Sequence, residues 1–180
     1  MRRLLLLRHA KTEHDAPSGH DQDRRLDERG HRDAAEIGGW IARRPPLPNL
    51  ALVSPAVRTA QTWDIVREAL KGAGPAPKVE FVPDLYGADP VQLLTAIRMA
   101  SVTDPKRLML IGHNPGMHEL ALTLTGSGDE AAKRALGDNL PTSGLAVFDF
   151  ATDDWNDVSF RRGKLVLFVS PKLLKQASRS

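Results

Sequence analysis

Arg3-Leu4-Leu5-Leu6-Leu7, followed at once by Arg8-His9-Ala10-Lys11, is the stretch that decides how this chain is read. An unbroken apolar run of this length suits a strand buried on both faces, as in a parallel sheet. The charged residues after it mark the strand's carboxyl end, where active sites of open α/β sheets collect. Working outward, residues 26–43 show helical spacing with Ala34, Ile37 and Ile41 on one face and Asp27 as N-cap. The Pro-rich stretch 44–49 ends that helix. Residues 50–53 read as a second strand. Ser54-Pro55 then opens a helix running to about Lys71, with Ser54 as its cap.

The alternation continues. Residues 72–78 form a Gly/Pro loop, 79–82 a third strand, and Asp89-Pro90 starts a helix that reaches Met99. Residues 107–111 are a fourth strand and Asn114-Pro115 opens another helix. Residues 138–142 read as loop, 144–150 and 164–169 as late strands paired on the far side of the sheet, and the tail after Pro171 as a frayed polar end. Strands alternating with helices predict a three-layer α/β/α sandwich with a mostly parallel central sheet. The 180 residues fit a single domain, 1–180.

Composition narrows the chemistry. There is no cysteine, which excludes thiolate nucleophiles, thiolate metal sites and disulfides. The formal charge of +3 is a mild basic excess that favours anionic partners. The three Trp and one Tyr are scattered, and no basic stripe accompanies them, so nucleic acid is not expected. The apolar run before Arg8 is too short for a signal peptide and no membrane-spanning stretch follows, giving the expectation of a cytoplasmic protein with no membrane partner.

Three strand ends carry the chemistry: Arg8-His9, the block from Ser54 to Thr62, and Gly112-His113-Asn114-Pro115-Gly116. Arg58 falls in the first turn of its helix, where the dipole disfavours a cation. A bound anion would resolve the conflict, since helix N-termini offer free N–H groups and a guanidinium adds a fork. Taken singly, an Arg-His pair is a common surface feature, an arginine on a helix is usually solvated, and a histidine before a helix can simply cap it. Taken together, Arg8, Arg58 and His113 could converge on one dianion beside His9.

Leu7-Arg8-His9-Ala10-Lys11, Ser54-Pro55-x-x-Arg58-Thr59-x-Gln61-Thr62 and Gly112-His113-Asn114-Pro115-Gly116 resemble the histidine phosphatase superfamily, and its small SixA-type phosphohistidine phosphatase branch more than the rest. The resemblance covers nearly the whole chain, from the first strand to about Val169. The stretch Asp23-Arg24-Arg25-Leu26-Asp27-Glu28-Arg29-Gly30 is similar to that branch's Arg-Pro-Leu-Thr-x-x-Gly. Ala10 stands where Gly is usual, and Arg25 where Pro is usual, so either Arg24 or Arg25 could line the pocket.

The resemblance implies a phosphoglycerate-mutase-like fold, His9 as nucleophile, and Arg8, Arg58, His113 and Arg24 as ligands of the phosphoryl group, with no metal and no cofactor. It further implies hydrolysis through a phosphohistidine intermediate. Phosphohistidine on a protein is the first substrate expected, because that branch lacks a dedicated acid and imidazole leaves easily. A small phosphate ester is the alternative, and would call for an acid at Asp84 or Tyr86; Asp89 reads as a helix cap. A non-catalytic phosphate-binding module is the third reading. A phosphoglycerate mutase is disfavoured by the missing Arg-His-Gly-Glu-type opening and lid. A monomer is the default expected.

Asp21-Gln22-Asp23 lacks the preceding apolar strand of an aspartyl-phosphatase signature. Gly126-Ser127-Gly128-Asp129-Glu130-Ala131 follows a helical segment and so fails as a dinucleotide loop. His113 and His118, five apart, do not share a helix face as a zinc pair would. His14, His20 and His31 are expected in solvent.

Overall fold

The computed structural model describes residues 1–179. Seven strands form one sheet: β1 (Arg2–Arg8), β2 (Leu50–Val53), β3 (Lys78–Phe81), β4 (Arg107–Gly112), β5 (Thr125–Gly128), β6 (Leu145–Phe150) and β7 (Gly163–Val169). Their order across the sheet is β3-β2-β4-β1-β6-β7-β5. β3, β2, β4 and β1 run parallel, β6 is antiparallel to β1, and β7 is antiparallel to β6. The expected mostly parallel sheet is present, with the two late strands paired beside β1.

The leucine run explains the centre of this order. Leu4 and Leu6 point to one face of the sheet, Leu5 and Leu7 to the other, and all four are buried. β1 pairs with β4 and with β6, which satisfies both of its backbone edges. The face of Leu5 and Leu7 is covered by α1 (Glu28–Ala42), α2 (Val57–Leu70) and Leu174 of α6 (Pro171–Ser178). Ile37, Ile41, Trp63 and Val66 supply the helical side of that layer. The opposite face is covered by α3 (Pro90–Met99), α4 (Gly116–Leu124) and α5 (Glu130–Asp138), through Leu93, Ile97, Met117, Leu120 and Leu136. The three-layer α/β/α architecture follows from this two-sided apolar pattern.

Helix starts follow their capping chemistry. The Asp27 carboxylate accepts from Gly30 N at 2.7 Å, and Asp89 and Gln92 form a reciprocal capping box. Ser54 does not cap α2; that helix begins at Val57 and Ser54 is fully buried behind it. The tail is not frayed up to Ser178: Ser170 Oγ accepts from Leu173 N and opens α6, while Ser180 lies outside the described residues. Two further short elements complete the fold. β5, Thr-Gly-Ser-Gly, is an edge strand held by backbone pairing to β7, and α5 follows it with Asp129 as cap.

Candidate active site

The carboxyl ends of β1, β2 and β4 lie side by side, because Leu7 pairs with Ile111 and Val53 also pairs with Ile111. The residues that follow these strands, His9, Ser54 and His113, therefore meet at one end of the sheet. His9 N donates to Gly112 O at 3.1 Å and Ser54 N to Ile111 O at 3.1 Å, which locks the three loops together. The His9 and His113 rings lie 5.4 Å apart between centroids. Both are buried, and Arg58 with them.

His9 is held by its own neighbour. Its Nδ1 lies 2.7 Å from Ala10 O, and a carbonyl oxygen only accepts, so Nδ1 carries the proton. Nε2 is then the nitrogen with the free lone pair. Burial pushes the His9 pKa down to about 3, with His113, Arg8 and Arg58 acting in the same direction against the Ala10 bond. The ring is neutral at ordinary pH by a wide margin. Burial is the main cause, and the neighbouring arginines add less. Burial also pushes His113 down to about 4, with Arg58 next in importance. His113 Nε2 lies 2.7 Å from the hydroxyl of Ser54.

Arg8 reaches Leu140 O with Nη1 at 3.2 Å, and burial lowers its pKa from the ordinary guanidinium value. Arg58 projects from the first turn of α2, and a carboxylate takes up its charge: Nη1 donates to Asp21 O at 2.8 Å and Nη2 to Asp21 Oδ2 at 3.0 Å. Arg24 joins the same group, with Nε on Asp21 Oδ1 at 2.9 Å and Nη1 on Thr12 Oγ1 at 2.8 Å. Arg25 instead turns outward to Glu13, at 3.3 Å. The structure thus brings Arg8, His9, Arg58 and His113 together, with Arg24 attached through Asp21.

Tyr86 completes the group. Its hydroxyl donates to Asp21 Oδ2 at 2.6 Å and its ring stands edge-on to His113, 5.5 Å between centroids. That bond, with those from Arg58 and Arg24, holds the Asp21 carboxyl well below the usual carboxylate range, and the Tyr86 phenol is raised in return. Asp84 does not share this surface; it lines a groove with Leu50, Leu52 and Gln92 between the sheet and α3. Asp89 is committed to its capping box. His14, His20 and His31 are exposed.

Asp21 and Ser143 belong to this site without any motif to mark them, and Ser54, expected only as a helix cap, belongs to it through its bond to His113. Ser143 holds a left-handed backbone, φ 59°, and its N–H is shared between the carbonyls of Arg8 and His9 at 3.2 and 3.1 Å. Four buried side-chain atoms lack a hydrogen-bond partner among the described residues: Arg8 Nε, Arg58 Nε, His113 Nδ1 and Ser143 Oγ. Buried polar atoms are almost always paired, and these four all sit on residues of one site. An oxyanion is the kind of group that donors so placed can receive.

Comparison with known proteins identifies the family. Residues 4–86 match the model of the histidine phosphatase superfamily (branch 1). An uncharacterized protein of Mycobacterium leprae is 34% identical over 92% of this chain and 100% of its own length. The crystal structure of a putative phosphohistidine phosphatase SixA from Agrobacterium tumefaciens is 34% identical, with a TM-score of 0.77, over 94% of this chain and 98% of that one. This chain belongs to the histidine phosphatase superfamily. It lies on the SixA side of it: a second putative SixA, from Nakamurella multipartitia, superposes with a TM-score of 0.79 at 25% identity, covering 94% and 96% of the two chains. The chain is accordingly a phosphatase of this superfamily, with its phosphoglycerate-mutase-like α/β fold. Among the described residues, no helix is long and apolar enough to cross a membrane.

Proposed function

We propose that this phosphatase removes the phosphoryl group from phosphohistidine on a protein, by way of a covalent phosphohistidine formed on His9. The observation that carries the reading is the 2.7 Å bond from His9 Nδ1 to Ala10 O, which leaves Nε2 unprotonated, with the Arg8 and Arg58 guanidinium groups near the ring. In the first step the Nε2 lone pair forms a bond to phosphorus while the substrate's P–N bond breaks, and the departing imidazole takes a proton from solvent. In the second, water attacks the phospho-His9, giving inorganic phosphate and returning His9 to its starting state. Arg8, Arg58 and His113 hold the non-bridging oxygens as charge shifts between them. The charge is supplied by guanidinium groups, and no step calls on a metal or a cofactor.

The choice of leaving group rests on the proton inventory of the site. An alkoxide needs a positioned acid, worth roughly 10²–10⁴ in rate. Asp21 is held as an anion and Tyr86 has a raised pKa, so neither is a ready proton donor. A departing imidazole has no such need. The test is phosphate release by wild type and His9→Ala from a phosphohistidine protein and from small esters. Release from the phosphoprotein, lost at least a thousandfold in His9→Ala, is the expected result. Release untouched by the substitution would exclude His9 as nucleophile, and release from esters alone would move the substrate to small molecules.

A further inference from the structure

Asp21 has no part in the phosphoryl transfer proposed above, yet its carboxylate is fixed at three points. Oδ1 accepts from Arg24 Nε at 2.9 Å, and Oδ2 accepts from Arg58 Nη2 at 3.0 Å and from the Tyr86 hydroxyl at 2.6 Å. A carboxylate oxygen has two acceptor directions, so Oδ1 keeps one open. Exposure orders the site from floor to rim. The Arg58 side chain is 6% exposed and that of Asp21 is 54% exposed, although the two are in contact. A phosphoryl group held by the buried guanidinium and the two histidines sits on the floor. With the phosphoryl group on that floor, the open side left for its leaving group is the exposed rim to which Asp21 belongs.

We infer that Asp21 is a specificity-determining residue, whose rim carboxylate favours leaving groups that are cationic or present N–H donors and disfavours those bearing a second anionic group. The inference rests on the proposed reading of the floor as the phosphoryl site. Arginines at Arg8, Arg24 and Arg58 would on their own draw in the most highly charged phosphate compounds. A fixed carboxylate at the rim reverses that preference where the leaving group lies and leaves it intact where the phosphoryl lies. A phosphohistidine ring, with its second nitrogen able to carry a proton, meets this rim favourably. An ester whose alcohol carries a carboxylate does not.

A charge pair of probes tests the inference apart from turnover. Dissociation constants for phosphoethanolamine and 3-phosphoglycerate are measured by calorimetry on His9→Gln protein, with Asp21 present and with Asp21→Asn. The preference for phosphoethanolamine over 3-phosphoglycerate should fall at least tenfold in Asp21→Asn and persist in Asp21→Glu. A preference that changes less than threefold, including equal weakening of both ligands, would overturn the inference, because that is what a mere prop for Arg58 would give. Failure of the wild type to act on a phosphohistidine protein would sink the substrate reading alone and leave this ratio to be judged by itself.

Discussion

Ser54 Oγ lies 2.7 Å from His113 Nε2, at the point where β2 and β4 end side by side. This bond fixes the imidazole by one nitrogen and leaves Nδ1 buried and partnerless. Ser54 is itself pinned, since its carbonyl accepts from Thr59 Oγ1 at 2.6 Å within the first turn of α2. The hydroxyl thus couples the second histidine to the helix that carries Arg58.

Removing that hydroxyl should loosen His113 without emptying the site. Ser54→Ala is expected to lower kcat/KM about tenfold, close to 1.4 kcal/mol of transition-state stabilisation. Stability should fall by about 1 kcal/mol for the lost buried bond. Steady-state kinetics and urea titration read the two effects. Full activity in a folded Ser54→Ala protein would mean that His113 is positioned by packing alone.

The four partnerless atoms on Arg8, Arg58, His113 and Ser143 give a second expectation. An oxyanion that satisfies them binds the folded state and raises its stability by mass action, about 2.7 kcal/mol at a hundred times its dissociation constant. For a chain of this size that amounts to a rise in Tm of roughly 5–10 °C. Tungstate and inorganic phosphate should both produce it in wild type, and Arg58→Gln should lose most of it. An equal rise in Arg58→Gln would place the bound anion elsewhere.

Much of this site was legible in the sequence because its strands are continuous apolar runs. Leu4 to Leu7 suited a strand buried on both faces, and the position of Arg8-His9 followed from where that run stops. The Ser54 and His113 loops were found the same way. What failed was local chemistry that depends on distant partners. Ser54-Pro55 has the form of a helix start, yet the side chain is spent on His113, 59 residues away, and the helix begins at Val57. Ser170-Pro171 has the same form and does start a helix. Asp21 lies in a polar loop with no periodicity, and its contacts to Arg58 and Tyr86 span 37 and 65 residues. β5 has no apolar residue at all, so its place is set by backbone pairing to β7.

The depressed histidines set the acid response of the fold. Burial pushes His9 down to about 3 and His113 to about 4, against an ordinary value of about 6.5 in the unfolded chain. Below that ordinary value the unfolded state binds more protons than the folded one, so stability falls as pH falls. The contribution is complete above pH 6.5 and drains away down to the folded values. Each histidine should cost about 1.4 kcal/mol per pH unit across this window, and the pair together on the order of 4 kcal/mol by pH 5. Urea unfolding at pH 7, 6 and 5 measures the slope. His9→Asn and His113→Asn should each remove about half of it, and the double variant should be nearly flat between pH 7 and 5. A wild-type slope that survives both substitutions would show that these rings accept protons in the folded protein as readily as in the unfolded chain, and would remove the case for a permanently neutral His9.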